Sequence, residues 1–273
     1  MPFEEGFLIW AAVLCGLQFG SFLNVVVWRL PRMLEREWQA VSEPAAETEP
    51  AFNLSTPRSH CPHCLTPLRW QDLLPVCSYL WLHGRCAHCA APISWRYPLV
   101  ELTVALVWGG CAWRWGWSGS ALVWAGFFTT LLGLALIDAD TMLLPDAMTM
   151  PLLWAGLIAA HFGWTGVGLS DALWGAVAGY LSLWLVYQVF LRLTGKHGLG
   201  RGDFKLLAAL GAWLGWQVLP WLVLGSSLLG LCAAALRMWQ GTYVKGQHMP
   251  WGPSLALAGA SLVLWRPAMV WVI

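Results

Sequence analysis

The run LLAALGAWLGWQVLPWLVLGSSLLGLCAAAL, residues 206–236, contains 31 residues and no charge. As a single helix it would extend about 46 Å at the usual rise per residue, well beyond the ~30 Å hydrocarbon thickness of a bilayer. Gly215-Trp216 lies near its middle and offers a turn, so the run reads as two membrane-crossing helices joined by a tight connection. Working outward, apolar stretches recur at 7–28, 98–113, 121–137, 148–162, 173–191 and 253–273. With the long run divided, these make eight spans; left undivided, seven.

Composition points the same way. Of 273 residues, 58% are apolar and 11% charged, and the mean hydropathy is +0.60, which no soluble globular class accommodates. The 22 Trp suit helix ends at the headgroup level, where an apolar ring with one N–H donor is stable. The expected fold is an all-α polytopic integral membrane protein of about eight transmembrane helices, with lipid as its surroundings. A net charge of +1 supplies no field for nucleic acid or an acidic substrate, so no nucleic-acid partner is expected. The start, Met1-Pro2-Phe3-Glu4-Glu5, lacks the basic region of a cleavable signal, and 7–28 is read as a retained first span.

Orientation follows from Lys and Arg, which accumulate in cytoplasmic segments. With eight spans and the amino terminus outside, Arg29, Arg32, Arg36, Arg58, Arg69, Arg85, Arg96, Arg192, Lys196, Arg201, Lys205, Arg237 and Lys245 fall inside. That is 13 of 15; only Arg114 and Arg266 fall outside. Both termini then lie outside the cytoplasm. The chain is divided into a first span at 1–29, a cytoplasmic loop domain at 30–97 and a membrane-embedded domain at 98–273. Within the loop, Glu43-Pro44-Ala45-Ala46-Glu47-Thr48-Glu49-Pro50 is acidic and Pro-rich and reads as a linker. No internal repeat is visible in the sequence.

The remainder of the loop holds Cys61-Pro62-His63-Cys64 and Cys86-Ala87-His88-Cys89, two Cys-x2-Cys knuckles separated by 21 residues. Four thiolates so spaced suit a closed tetrahedral zinc site; redox thiols or two disulfides are the alternatives, the latter favoured only outside a reducing compartment. Cys61, Cys64, Cys86 and Cys89 are the expected ligands. Cys77 is left over and reads as a small buried residue.

Carboxylates bracket the apolar runs. Leu136-Ile137-Asp138-Ala139-Asp140-Thr141-Met142-Leu143-Leu144-Pro145-Asp146 closes one, and Gly200-Arg201-Gly202-Asp203 opens another. In the eight-span arrangement the third span runs inward to Asp138 and the sixth starts just after Asp203, so both carboxylates stand at the same depth on the same face. Two close carboxyl groups do not readily both ionise. They share a proton, one acting as base on water while the other protonates a substrate carbonyl. Gly200 and Gly202, without Cβ atoms, let an extended peptide approach. A solvated helix-end charge is the plain alternative for any one of these aspartates. Gly198 to Gly202 as a phosphate loop lacks the strand such a motif requires.

These features, with Gly20-Ser21-Phe22-Leu23-Asn24-Val25-Val26 and Ile93-Ser94-Trp95-Arg96-Tyr97-Pro98, resemble the bacterial type IV prepilin leader peptidases and N-methyltransferases across nearly the whole chain. The resemblance implies an intramembrane aspartyl protease of the bacterial inner membrane with its active site toward the cytoplasm. It implies removal of the basic leader of prepilins and type II secretion pseudopilins after a Gly, then methylation of the new amino terminus with S-adenosylmethionine. The family's catalytic aspartates fall on Asp138 and Asp203, its glycines on Gly200 and Gly202, and its metal- or methylation-linked cysteines on Cys61, Cys64, Cys86 and Cys89. Asp140 and Asp146 match positions without a settled role. A transporter would also place carboxylates at membrane depth but shows no inverted repeat here. A thiol oxidoreductase would want its knuckles on the oxidising side, and a structural anchor would not need two facing carboxylates.

Overall fold

The computed structural model describes residues 2–42, 51–196, 198, 200–241 and 249–269. The linker at 43–50, Leu199, Lys245 and the chain end at 270–273 lie outside the described residues. Regular structure among the described residues is helical: α1 (Pro2–Ser42), α2 (Cys77–Trp81), α3 (Arg96–Trp115), α4 (Gly119–Thr141), α5 (Asp146–His161), α6 (Leu169–Thr194), α7 (Arg201–Leu214), α8 (Leu219–Trp239) and α9 (Gly252–Met269). Helices satisfy every interior backbone group within their own segment, as a lipid solvent demands.

Four stretches are long and apolar enough to cross a membrane: Gly6–Ser42, Gly119–Thr141, Leu169–Thr194 and Trp216–Trp239. Large apolar side chains on them point outward, among them Leu14, Leu122, Leu185 and Leu231, a surface that only an apolar solvent would cover at low cost. The chain is thus a multi-pass membrane protein. The other apolar stretches are helical too, but α5 and α7 have only 16 and 14 residues, short of the ~20 that a bilayer crossing needs.

The long run at 206–236 divides where the sequence offers a turn. Gly215 adopts φ 88°, ψ 165°, a conformation essentially confined to glycine. A short 3-10 turn at Trp216–Val218 follows, and α8 starts with a Pro in its first turn. The helix of the first span, in contrast, does not end at Trp28. α1 continues through Pro31 to Ser42, because Met33, Leu34, Glu35, Arg36 and Glu37 are mostly strong helix formers. Cys77 is exposed at the start of α2 rather than buried.

The chain forms two compact units, Met1–Thr129 and Thr130–Ile273. In the first, α1 and α3 meet through small residues: a methyl group at Gly16 would stand 2.7 Å from Ala105 Cα, and one at Gly20 2.7 Å from Glu101 Cα. Close backbone approach of this kind is how helices associate where lipid removes the hydrophobic drive. Buried Arg29 donates to the carbonyls of Asn53 (2.8 Å) and Pro57 (2.6 Å), holding the start of the loop against α1. Glu101, buried on α3, accepts the Val76 N–H at 2.8 Å.

In the second unit α7 is the core. Leu206, Leu207, Ala209, Leu210 and Ala212 are fully enclosed, with α5, α6 and α9 packed against this helix. Its shortness is tolerated because protein, not lipid, surrounds it. Trp213 Nε1 donates to the Leu152 carbonyl at 2.8 Å. Gly175 of α6 and Gly211 of α7 face each other so closely that a Cβ on either would overlap the other's carbonyl. Gly175→Val is expected to destabilise the protein by about 1–3 kcal/mol or more through overpacking, read as a lowered melting midpoint in detergent; an unchanged midpoint would mean that α6 and α7 do not need this contact.

Candidate active site and metal centre

Asp138 lies one turn before the end of α4, whose last turn closes as the Met142 N–H donates to the Asp138 carbonyl at 2.8 Å. Met142 itself is left-handed, φ 56°, a conformation that ends the helix. The Asp138 side chain is 5% exposed. Its Oδ2 accepts the Gly252 N–H at 2.8 Å, and Gly252 opens α9. The carboxylate is thus set against a helix amino terminus, where unpaired N–H groups carry partial positive charge.

Asp203 is the third residue of α7, with Gly200 as its N-cap. Its carboxylate folds back toward Gly200 at the opening turn of the helix. Asp138 and Asp203 are near enough for the charge of one to act on the other, although 65 residues separate them in the chain. Both sit in the second unit beside a helix start, and Asp138 is held there by the Gly252 N–H.

The two glycines have distinct physical grounds. Gly200 has φ −73° and ψ 137°, open to any residue, but a Cβ there would come within 3.1 Å of Asp203 Oδ2. At Gly202 a Cβ would meet Leu144 Cβ at 2.7 Å, so this glycine lets the link between α4 and α5 lie against the start of α7. Asp146, the first residue of α5, pairs through both carboxylate oxygens with Lys205 Nζ at 2.6 Å. That ion pair joins α5 to α7 two residues beyond Asp203. Asp140 is exposed. Sequence reading missed Gly252 and the Lys205–Asp146 pair: Gly252 is brought in only by the chain's return to the site, and the pair forms only where α5 meets α7.

In the first unit the four knuckle sulfurs lie within 4.8 Å of one another, and Cys61 Sγ is 3.8 Å from Cys89 Sγ. Ligands about 2.3 Å from a tetrahedral zinc are about 3.8 Å apart, whereas a disulfide needs about 2.05 Å; all four thiols are free. The donor set therefore fits a metal ion such as zinc. His63 and His88 are outside the cluster.

The knuckles are built alike. Cys61 N–H donates to the Thr66 carbonyl and Leu65 N–H to the Cys61 carbonyl; Cys86 N–H donates to Ala91 and Ala90 N–H to Cys86. Leu65 and Ala90 both have φ 56°, and each knuckle is flanked by one antiparallel bridge, His60 with Pro67 and Arg85 with Pro92. A local duplication thus exists that the sequence did not reveal. Hydrogen bonds from the Thr66 side chain and backbone pull the Cys64 thiol down to about 6. Cys89 is pushed up to about 11: the Ala91 N–H favours its thiolate, but burial and the hydrogen-bonded sulfurs of Cys64, Cys86 and Cys61 outweigh it. Four thiolates so close repel one another, and a bound cation is what would let all of them ionise.

Residues 14–115 match the Bacterial Peptidase A24 N-terminal domain, and residues 125–235 match the Type IV leader peptidase family. The protein named prepilin leader peptidase/N-methyltransferase from Pseudomonas putida is 51% identical over 270 residues, 97% of this chain and 93% of its own length. Its namesake from Pseudomonas aeruginosa is 48% identical over 258 residues (93% and 89%), and that from Neisseria gonorrhoeae 46% over 280 residues (97% and 95%). No solved structure matches. With both family regions present in order and near-complete relatives at about half identity, the chain belongs to the type IV leader peptidase family.

Proposed function

We propose that this chain is a prepilin leader peptidase and N-methyltransferase: it cuts the leader from prepilins and pseudopilins and then methylates the new amino terminus. The observation that carries the peptidase reading is the convergence of Asp138 and Asp203, each beside a helix start, with Asp138 held by the Gly252 N–H. The family supplies the substrate class.

In this mechanism the pair holds one proton. The ionised carboxylate takes a proton from water as the water oxygen attacks the scissile carbonyl carbon; the protonated one gives its proton to the carbonyl oxygen. Collapse of the tetrahedral intermediate breaks the C–N bond. The carboxyl group that received the water proton passes it to the leaving amine, and the other recovers its proton from the intermediate's hydroxyl, which restores the shared state. The missing side chain at Gly200 leaves the Asp203 carboxylate unobstructed, and that at Gly202 admits Leu144 beside the start of α7. Cys61, Cys64, Cys86 and Cys89 hold zinc and thereby fold the loop; S-adenosylmethionine supplies the methyl group. The 13 inward Lys and Arg of the eight-span arrangement support an inner-membrane protein with this site toward the cytoplasm.

Asp138→Asn and Asp203→Asn should each lower cleavage of a leader-bearing prepilin by about 10²–10⁴-fold, the usual range for losing a general acid or base. Mass spectrometry reads the leader loss, and methylation of a leaderless pilin checks that the variant is still folded; substantial cleavage by both variants would remove the pair from the mechanism. The purified protein should carry about one zinc per chain and lose it as the pH falls, because protons compete for the thiolates. Elemental analysis across a pH series tests this. Cys61→Ser should impair methylation more than cleavage, and equal loss of both would make the loop a scaffold for the whole enzyme.

A further inference from the structure

The geometry points to Gly252 as a positioning residue of the peptidase: its N–H fixes the Asp138 carboxylate at the start of α9, and its missing side chain is what lets that carboxylate reach the helix end. This rests on the aspartate reading of the active site. Gly252 lies 114 residues from Asp138 and outside every motif that marks the site in the sequence.

Two independent observations support it. The first is the hydrogen bond itself, 2.8 Å from Gly252 N to Asp138 Oδ2 in buried surroundings, where a charge-assisted bond is stronger than in water. The next residue, Pro253, has no N–H, so Gly252 is the donor that the helix end offers at this point. The second is steric. A Cβ at residue 252 would stand 2.7 Å from Asp138 Oδ2, 3.0 Å from its Cγ and 3.1 Å from its Cβ. The crowding runs along the whole Asp138 side chain, so turning the carboxylate alone does not relieve it. Any larger residue must push Asp138 away from α9 or α9 away from α4. With Oδ2 committed to α9, Oδ1 is the oxygen left for water or substrate, and Gly252 thereby sets which way the carboxylate faces.

The test uses a matched pair of glycines on one helix. At Gly259 a Cβ would meet Leu210 Cδ2, also at 2.7 Å, a close contact on α9 that does not involve Asp138. In the purified full-length protein, Gly252→Ala is expected to lower kcat for prepilin cleavage at least about tenfold with KM within about twofold, since it disturbs the reacting group and not substrate binding. Gly259→Ala should keep kcat within about twofold of wild type, with melting midpoints of the two variants compared in detergent. Wild-type kcat in Gly252→Ala overturns the proposal, as does parallel loss of kcat in both variants in step with their melting midpoints. If Gly252→Ala does not accumulate folded, replacing the residue 252 amide by an ester removes the N–H without adding bulk. The same tenfold loss is expected there, and an unchanged kcat overturns the proposal. Wild-type cleavage by Asp138→Asn would instead sink the aspartate reading itself, a result the glycine variants cannot mimic.

Discussion

A carboxylate enclosed in an apolar bundle requires donors, and the second unit takes them from its own backbone. Asp138 receives the N–H of Gly252, and the Asp203 carboxylate folds back toward Gly200, each at the opening turn of a helix. Such helix starts carry roughly half a positive charge spread over unpaired N–H groups. They support an anion without a full cation beside it, which would pair with the carboxylate and disable it as a base. Lys205, on the same turn of α7, is paired with Asp146 instead. That pair is partly exposed, with side chains 29% and 62% accessible, so its worth in stability is small, and its effect is to join α5 to the turn of α7 that bears Asp203.

For helix starts to stand at this depth, helices must end and begin within the unit. Gly215 ends α7 after 14 residues in a conformation that other residues rarely adopt, and Met142 closes α4 just beyond Asp138. Enclosure of α7 by α5, α6 and α9 compensates for its shortness. The facing glycines 175 and 211 bring α6 and α7 to backbone contact, where dispersion and close packing replace the hydrophobic drive that lipid cannot provide. At Gly252 close packing and the site coincide: the same residue permits the approach and places a helix start against Asp138.

The cysteine loop solves a different problem. Residues 51–95 contain few large buried side chains; Cys61 and Cys86 are themselves among the buried ones. Two copies of one knuckle, each turned by a left-handed residue directly after its second cysteine, bring four sulfurs within 4.8 Å. A metal ion at their centre would replace the apolar core that so short a segment cannot build.

The sequence by itself determined the membrane class, the helical content, the break at Gly215 and the four cysteines that cluster, and it proposed the two aspartates, because each is written in local pattern: apolar run length, a glycine between runs, Cys-x2-Cys spacing, a carboxylate at the edge of an apolar stretch. It was read wrongly or silently where the answer lay between distant segments. Residues 29–42 continue the first helix rather than start a loop, Cys77 is exposed, and the short α7 is the enclosed centre of its unit. Gly202 owes its identity to Leu144, and Gly252 and Lys205 enter the site only through the packing of α9 and α5 around α7. Those were decided by tertiary structure alone, since which backbone N–H faces a carboxylate depends on how closely two helices approach, and that distance is set by residues 58 to 114 positions apart in the chain.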